Sequence, residues 1–282
     1  MAVDTFLKFE GVEGEAHKLG HDFHKLGDGF ADLGGAFLKL VDDVSPGDVD
    51  SFKGDLAAHI KHDVFAIGQG FFKVGDDFLK LSDPLHKFDD AIVKFTDQFI
   101  KVTPSDSEVP PLSLAADFLK YETDVKLTGL DFLAAASDVK TMPTESLSLN
   151  FTKISVEYEA QSDDELKIAE DLVDFVRISG LSESDAGAAF LKFAGDSEKI
   201  GADYLKLSVD FQNISSDFVP IEGSGPIKFD QVVAAHVDDF IKLSTDLKLT
   251  NADLGNLGGD FHKLAEAFES PGQVTTPTFK LG

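Results

Sequence analysis

The sequence has no cysteine, no tryptophan, only two methionines, and 25 basic residues against 51 acidic ones. Without cysteine there are no disulfides, thiolate metal sites or cysteine nucleophiles. The formal charge of −26 repels phosphate backbones and anionic headgroups, which sets aside nucleic acid and anionic membranes as partners. No stretch approaches the roughly 20 uncharged apolar residues of a membrane span, and Met1 to Gly14 carries acids where a secretory signal is basic and then apolar. The familiar catalytic signatures are missing too: no phosphate-binding Gly-x-x-x-x-Gly-Lys-Ser/Thr, no Gly-x-Ser-x-Gly elbow and no His-Glu-x-x-His. No His has Glu three residues before it, so the diiron pattern of helical bundles is excluded.

What the chain does have is 282 residues, 43% hydrophobic content and 26 Phe, enough apolar matter for a continuous buried core. The motif Phe-x-Lys-apolar starts at Phe6, Phe23, Phe37, Phe71, Phe78, Phe99, Phe118, Phe151, Phe190, Phe240 and Phe261, and Tyr204 opens a variant. Around each copy the apolar residues step by three and four, a helix stripe at coiled-coil period. In the first run Phe9, Ala16, Phe23, Phe30, Phe37 and Val44 fill heptad position a, while Val12, Leu19, Leu26, Leu33 and Leu40 fill d. Five more runs extend from Ile60 to Val102, Leu114 to Met142, Leu147 to Phe175, Phe190 to Phe218 and Val233 to Phe268, the fourth interrupted by polar Gln161 and Glu165.

Between the runs stand Pro46, Pro104 to Pro111, Pro143, Gly180 and Pro220 to Pro226, residues that end helices. The expected fold is all-α: an elongated antiparallel bundle of about six long heptad-patterned helices. Residues 1–104 carry two of them, the second kinked or broken near Pro84 with its register retained. Residues 111–282 carry the other four, and the two segments pack as one continuous bundle.

Positions flanking the stripe are also patterned. Asp recurs at g, as in Asp22, Asp77, Asp196, Asp203, Asp210 and Asp260, and Lys at c, as in Lys25, Lys80, Lys199 and Lys206. Three residues apart, they pair along one helix for a few tenths of a kcal/mol, which reads as a solvated face. Position e is small, with Gly27, Gly34, Gly75, Gly129, Gly201 and Gly258, and is expected to admit the ring of a facing Phe. His17, His21 and His24 share one helix face, and His59 with His62 makes a second patch, so a divalent metal is the one ligand to consider. The competing role is packing, because His24, His86 and His262 fall at the outer b position that the motif fills with Leu, Ile or His. Tyr121, Tyr158 and Tyr204 occupy core heptad positions and read as structural.

Two segments carry a resemblance: Asp4-Thr5-Phe6-Leu7-Lys8-Phe9 with Gly11, Gly14 and Glu15, and Leu149-Asn150-Phe151-Thr152-Lys153-Ile154-Ser155-Val156-Glu157-Tyr158 with Gln161. These residues, 4–15 and 147–161, resemble the opening and a late strand of the tube protein of type VI secretion, the Hcp family. The resemblance implies an exported β-barrel stacking as hexameric rings, and it brings no residue with an assigned chemical role. The same two segments hold copies of Phe-x-Lys-apolar, and Leu147 to Tyr158 fits strand alternation and heptad helix alike.

The residues point to a non-enzymatic structural or protein-interaction bundle, without cofactor, whose partner is a protein or a second copy of the chain. Two alternatives stand beside it: an exported Hcp-like secretion component, and an amphipathic coat on lipid or granule surfaces. Such coats place Lys at the apolar boundary and acids at the polar centre, whereas here Asp at g lies nearer the apolar edge than Lys at c, so the coat ranks behind. The composition suits the cytoplasm and export by a route without a signal peptide equally.

Overall fold

The computed structural model describes residues 12–44, 56–102, 114–141, 144–179, 185–218 and 229–269. These form α1 (Val12–Val44), α2 (Leu56–Val102), α3 (Leu114–Thr141), α4 (Thr144–Ser179), α5 (Asp185–Asp217), α6 (Phe229–Ala235) and α7 (Val237–Glu269). No strand occurs among the described residues. Residues 147–161 lie inside α4, so the strand that the tube-protein resemblance implies is not formed there. Phe6, Phe9 and most of the other segment carrying that resemblance lie outside the described residues, as do the proline-rich connections.

Six of the helices run 28 to 47 residues, or about 40 to 70 Å at 1.5 Å per residue. α2 continues through Pro84, and Leu81, Leu85 and Phe88 on either side are all buried, so the register is retained. The sixth run, expected as one helix, is divided at His236. Its neighbours in the stripe, Val233 and Phe240, are buried, but His236 leaves the frame and its Nδ1 lies 3.0 Å from Asp217 Oδ1. An imidazole left in the apolar stripe would be buried without a partner, which is costly.

The long helices close into a ring. Each packs on its chain neighbours, α1 on α2, α2 on α3, α3 on α4, α4 on α5 and α5 on α7, and α7 returns to α1. Among the described residues the a-position rings, joined by Phe88 at d, are buried in the lumen, where they touch across it as well as around it. Phe71 on α2 meets Phe151 on α4 at 5.7 Å, Phe132 on α3 meets Phe211 on α5 at 5.8 Å, and Phe88 on α2 meets Phe261 on α7 at 5.4 Å. These pairs join helices that share no seam. The buried apolar residues of all seven helices form one contiguous cluster.

Consecutive seams alternate in kind. Where e faces e, the backbones touch. A Cβ on Gly75 of α2 would lie 2.7 Å from the carbonyl oxygen of Gly129 on α3, and one on Gly129 would lie 2.9 Å from that of Gly75. Along α1/α7 the facing residues descend in heptad steps, Gly20 with Gly258, Gly27 with Asn251 and Gly34 with Ser244, which makes the helices antiparallel. Along α4/α5, Ser155 Oγ lies 3.2 Å from Ser208 Oγ and Ser148 donates to the Ser215 carbonyl at 2.9 Å. The small e residues therefore admit backbone, and the expectation that they receive Phe rings fails because the rings already point into the lumen. The intervening seams, α1/α2, α3/α4 and α5/α7, are the ones to which the g positions turn.

Gly75→Val and Gly129→Val should each lower unfolding free energy by about 1 to 3 kcal/mol through overpacking. Gly195→Ala and Gly259→Ala, where an added Cβ meets nothing within 4 Å, should raise it by up to about 1 kcal/mol. Chemical denaturation of the four variants checks both signs.

Candidate functional site

Three groups of polar side chains stand out from the apolar framework. The first lies in the lumen and contains all three tyrosines of the chain. Tyr158 and Tyr204 stack at 5.3 Å, and the Tyr204 hydroxyl lies 3.4 Å from that of Tyr121. Gln161, which interrupts the α4 stripe, donates from Nε2 to Thr128 Oγ1 and to the Asp124 carbonyl oxygen. Glu165, one turn on, is buried, and burial pushes its carboxyl up to about 7, with the hydroxyls of Tyr121 and Ser197 pulling the other way. Tyr158, Gln161 and Tyr204 expose no surface, so the group is closed to substrates. What it can do is fix register: a one-heptad slip of α4 against α3 or α5 would strand Gln161 and Glu165 among Phe rings. The sequence carries the polar interruption but not the fact that three helices converge on it.

The second group runs along the seams where g faces g. On α5/α7 the carboxyl groups oppose one another in heptad steps: Asp196 with Asp260, Asp203 with Asp253, Asp210 with Asp246 and Asp217 with Asp239. Lysines bridge the rungs. Lys192 donates to Asp196 and to Asp260, both at 2.6 Å, and Lys242 to Asp210 and Asp246. On α3/α4 Lys120 bridges Asp124 and Asp164 in the same way. The helix-internal pairs expected from the sequence are present as well, Lys25 with Asp22 at 2.9 Å and Lys206 with Asp203 at 2.7 Å. The g carboxylates of α5 and α7, however, are not on a solvated face. Asp196, Asp203, Asp210 and Asp260 are buried, because in a closed ring each helix has a neighbour on both flanks and g is covered.

One lysine does not neutralise two facing carboxylates. The Oδ2 atoms of Asp164, Asp203, Asp210 and Asp260 are buried and accept no hydrogen bond. Burial pushes Asp210 up to about 7, with Lys242 opposing and Asp246 adding, and pushes Asp164 up to about 6 and Glu157 to about 7. A proton on such a rung supplies the missing positive charge and the missing donor. The α3/α4 seam contains a built-in likeness of that state: opposite Asp138 stands Asn150, whose Nδ2 donates to Asp138 Oδ2 at 2.7 Å. Asp196 goes the other way. Burial works to raise it, but Lys192 and Lys199 outweigh burial and bring it to about 2.

The third group is the histidines. The structure brings His17 and His24 of α1 together with His262 of α7, a partner far along the chain; His17 Nδ1 and His262 Nδ1 are 3.0 Å apart and the His24 and His262 rings stack at 6.0 Å. His21 lies on the exposed side of the same helix. His262 sits over Gly20 and His24 over Gly258, in the space that Leu79 and Leu133 fill over Gly129 and Gly75. This is the packing role of position b. Burial lowers His262, and His17, His24 and His21 lower it further. His62 lies beside Asp63 on α2, 3.3 Å away. Among the described residues, the His and carboxylate atoms that gather within 4.8 Å as a set of three belong elsewhere, to Asp217, His236 and Asp239. A shallow open groove over α5/α7 is lined by Leu191, Lys192, Gly195, Asp196, Lys199 and Asn256.

The chain matches no family model, no curated protein and no solved structure.

The carboxyl groups give stability an inverted pH dependence. Asp89, Glu157, Asp164, Glu165 and Asp210 hold protons in the folded chain up to about 6 or 7 and release them on unfolding at ordinary carboxylate values. Between those limits the native state binds more protons, so stability rises as pH falls. The melting temperature should climb from about pH 8 to about pH 5, level off near pH 4, and fall below that as Asp196 loses its charge. Glu165→Gln, which carries its hydrogens permanently, should flatten part of the climb.

Proposed function

We propose that the chain is a non-catalytic structural bundle that associates through its helix surfaces, in the first instance with a second copy of itself. The observation that carries this is the division of its apolar side chains. The lumen takes the a and d residues, yet Phe65 and Phe72 of α2, Leu149 and Val156 of α4 and Leu205 of α5 stay half or more exposed. Phe65 and Phe72 are one heptad apart, as are Leu149 and Val156, so each pair forms a line along its helix, the arrangement that a second helix can cover.

The lumen supports the non-catalytic reading, since rings fill it and its polar groups are buried among them. It also separates this reading from a lipid coat. A coat turns its Phe arc outward, whereas Phe23, Phe37 and Phe78 are buried. No helix among the described residues is long and apolar enough to cross a membrane.

Sedimentation equilibrium across a hundredfold range of concentration is the test. The mass should rise above the 30.4 kDa of one chain, and Phe65→Asp with Phe72→Asp should return it to that value with helix content unchanged. One-chain mass at every concentration contradicts self-association.

A further inference from the structure

The α5/α7 ladder ends on a rung unlike the others. Lys192 bridges Asp196 and Asp260, Lys206 holds Asp203, and Lys242 bridges Asp210 and Asp246. At Asp217 and Asp239 no ammonium group pairs with either carboxylate among the described residues, and the position is taken by His236. The three residues come from three places: Asp217 from the last turn of α5, His236 from the junction of α6 and α7, and Asp239 from the first turn of α7.

The junction is what gathers them. The His236 carbonyl accepts from the N–H groups of Asp239 at 3.1 Å and Phe240 at 3.4 Å, opening α7, while its own N–H closes α6 on Val232 at 3.0 Å. With the backbone so held, Nδ1 reaches Asp217 Oδ1 at 3.0 Å, and one ligand atom from each of the three residues lies within 4.8 Å of the others. Asp217 Oδ2 is a buried atom with no hydrogen bond. Two carboxylates facing one imidazole leave a net negative cluster where α5 ends and α7 begins.

We propose that Asp217, His236 and Asp239 bind one divalent transition ion of the Zn²⁺ kind, clipping α5 to the α6/α7 junction. One nitrogen and two carboxylate oxygens are a donor set such an ion takes, with water in the remaining position, whereas an imidazole ligand disfavours Ca²⁺ and Mg²⁺. The ion supplies the positive charge that lysine supplies on the other rungs. This inference is independent of the self-association reading, since it concerns contacts within one chain.

The test is calorimetric titration of the full chain with Zn²⁺ at neutral pH, with the Co²⁺ visible spectrum as a second readout. Wild type should take up one equivalent. His236→Ala and Asp239→Asn should each weaken uptake at least about tenfold, since losing even an outer partner of a metal ligand costs that much. Asp239 is only partly buried, so Asp239→Asn keeps the test available if His236→Ala perturbs the junction, and circular dichroism checks both. His17→Ala with His262→Ala should leave uptake unchanged. No saturable uptake by wild type, uptake indifferent to Asp239→Asn, or uptake lost in the His17→Ala, His262→Ala chain would each overturn the assignment.

Discussion

Everything in this bundle follows from the need to fill the middle of a six-helix ring. Two antiparallel helices bury a seam with Leu and Ala, but six in a ring enclose a space that aliphatic side chains from the wall do not close. Phe reaches further, so rings on α2 meet rings on α4, and rings on α3 meet rings on α5, across the lumen. This gives a physical meaning to the 17 Phe, of 26 in the chain, that are buried among the described residues. A void left there would forfeit contacts on every side at once.

Ring closure also decides the flanks. In an antiparallel ring e meets e on one side of a helix and g meets g on the other. Gly and Ser at e let backbones approach until Gly75 and Gly129 touch, and Asp at g is then carried into the opposite seam. There the chain meets the cost of its own acidity, since Asp203, Asp210 and Asp260 are buried beside other carboxylates. Lysine covers part of that charge and protons a further part, while Asn150 and His236 supply a hydrogen-bonding partner to Asp138 and Asp217. The bundle is thus held by aromatic packing at its axis and bridged by lysines along the seams where g faces g.

Much of this was legible in the heptads. The a and d residues Phe23, Leu26, Phe71, Phe78, Phe151 and Phe261, named from the sequence, are buried in the core, and α2 and α3 end beside Pro104 and Pro143. Burial of Asp210 was not legible, because its local pattern of g before a matches that of Asp22, which keeps more contact with solvent. How far a g residue is covered depends on what the neighbouring helix places opposite it, which no single helix shows. The His cluster was half visible: His17 and His24 share a face, but His262 joins them only through the α1/α7 seam. The three tyrosines were legible as core residues and Gln161 and Glu165 as a polar gap, but not their meeting, since convergence of three helices leaves no mark on any one of them. The sixth run read as one helix, whereas it divides at His236, which meets Asp217.

The central claim is that the first and last long helices meet and shut the ring. Gly27 of α1 faces Asn251 of α7, where a Cβ on Gly27 would lie 3.5 Å from the Asn251 Cα, within the reach of a disulfide. The chain has no other cysteine, so Gly27→Cys with Asn251→Cys offers a single intramolecular bridge. On mild oxidation at low concentration the closed ring predicts near-complete cross-linking of one chain, seen as faster migration in a non-reducing gel and reversed by reductant. Two free thiols persisting in a chain that keeps its full helix content would contradict it.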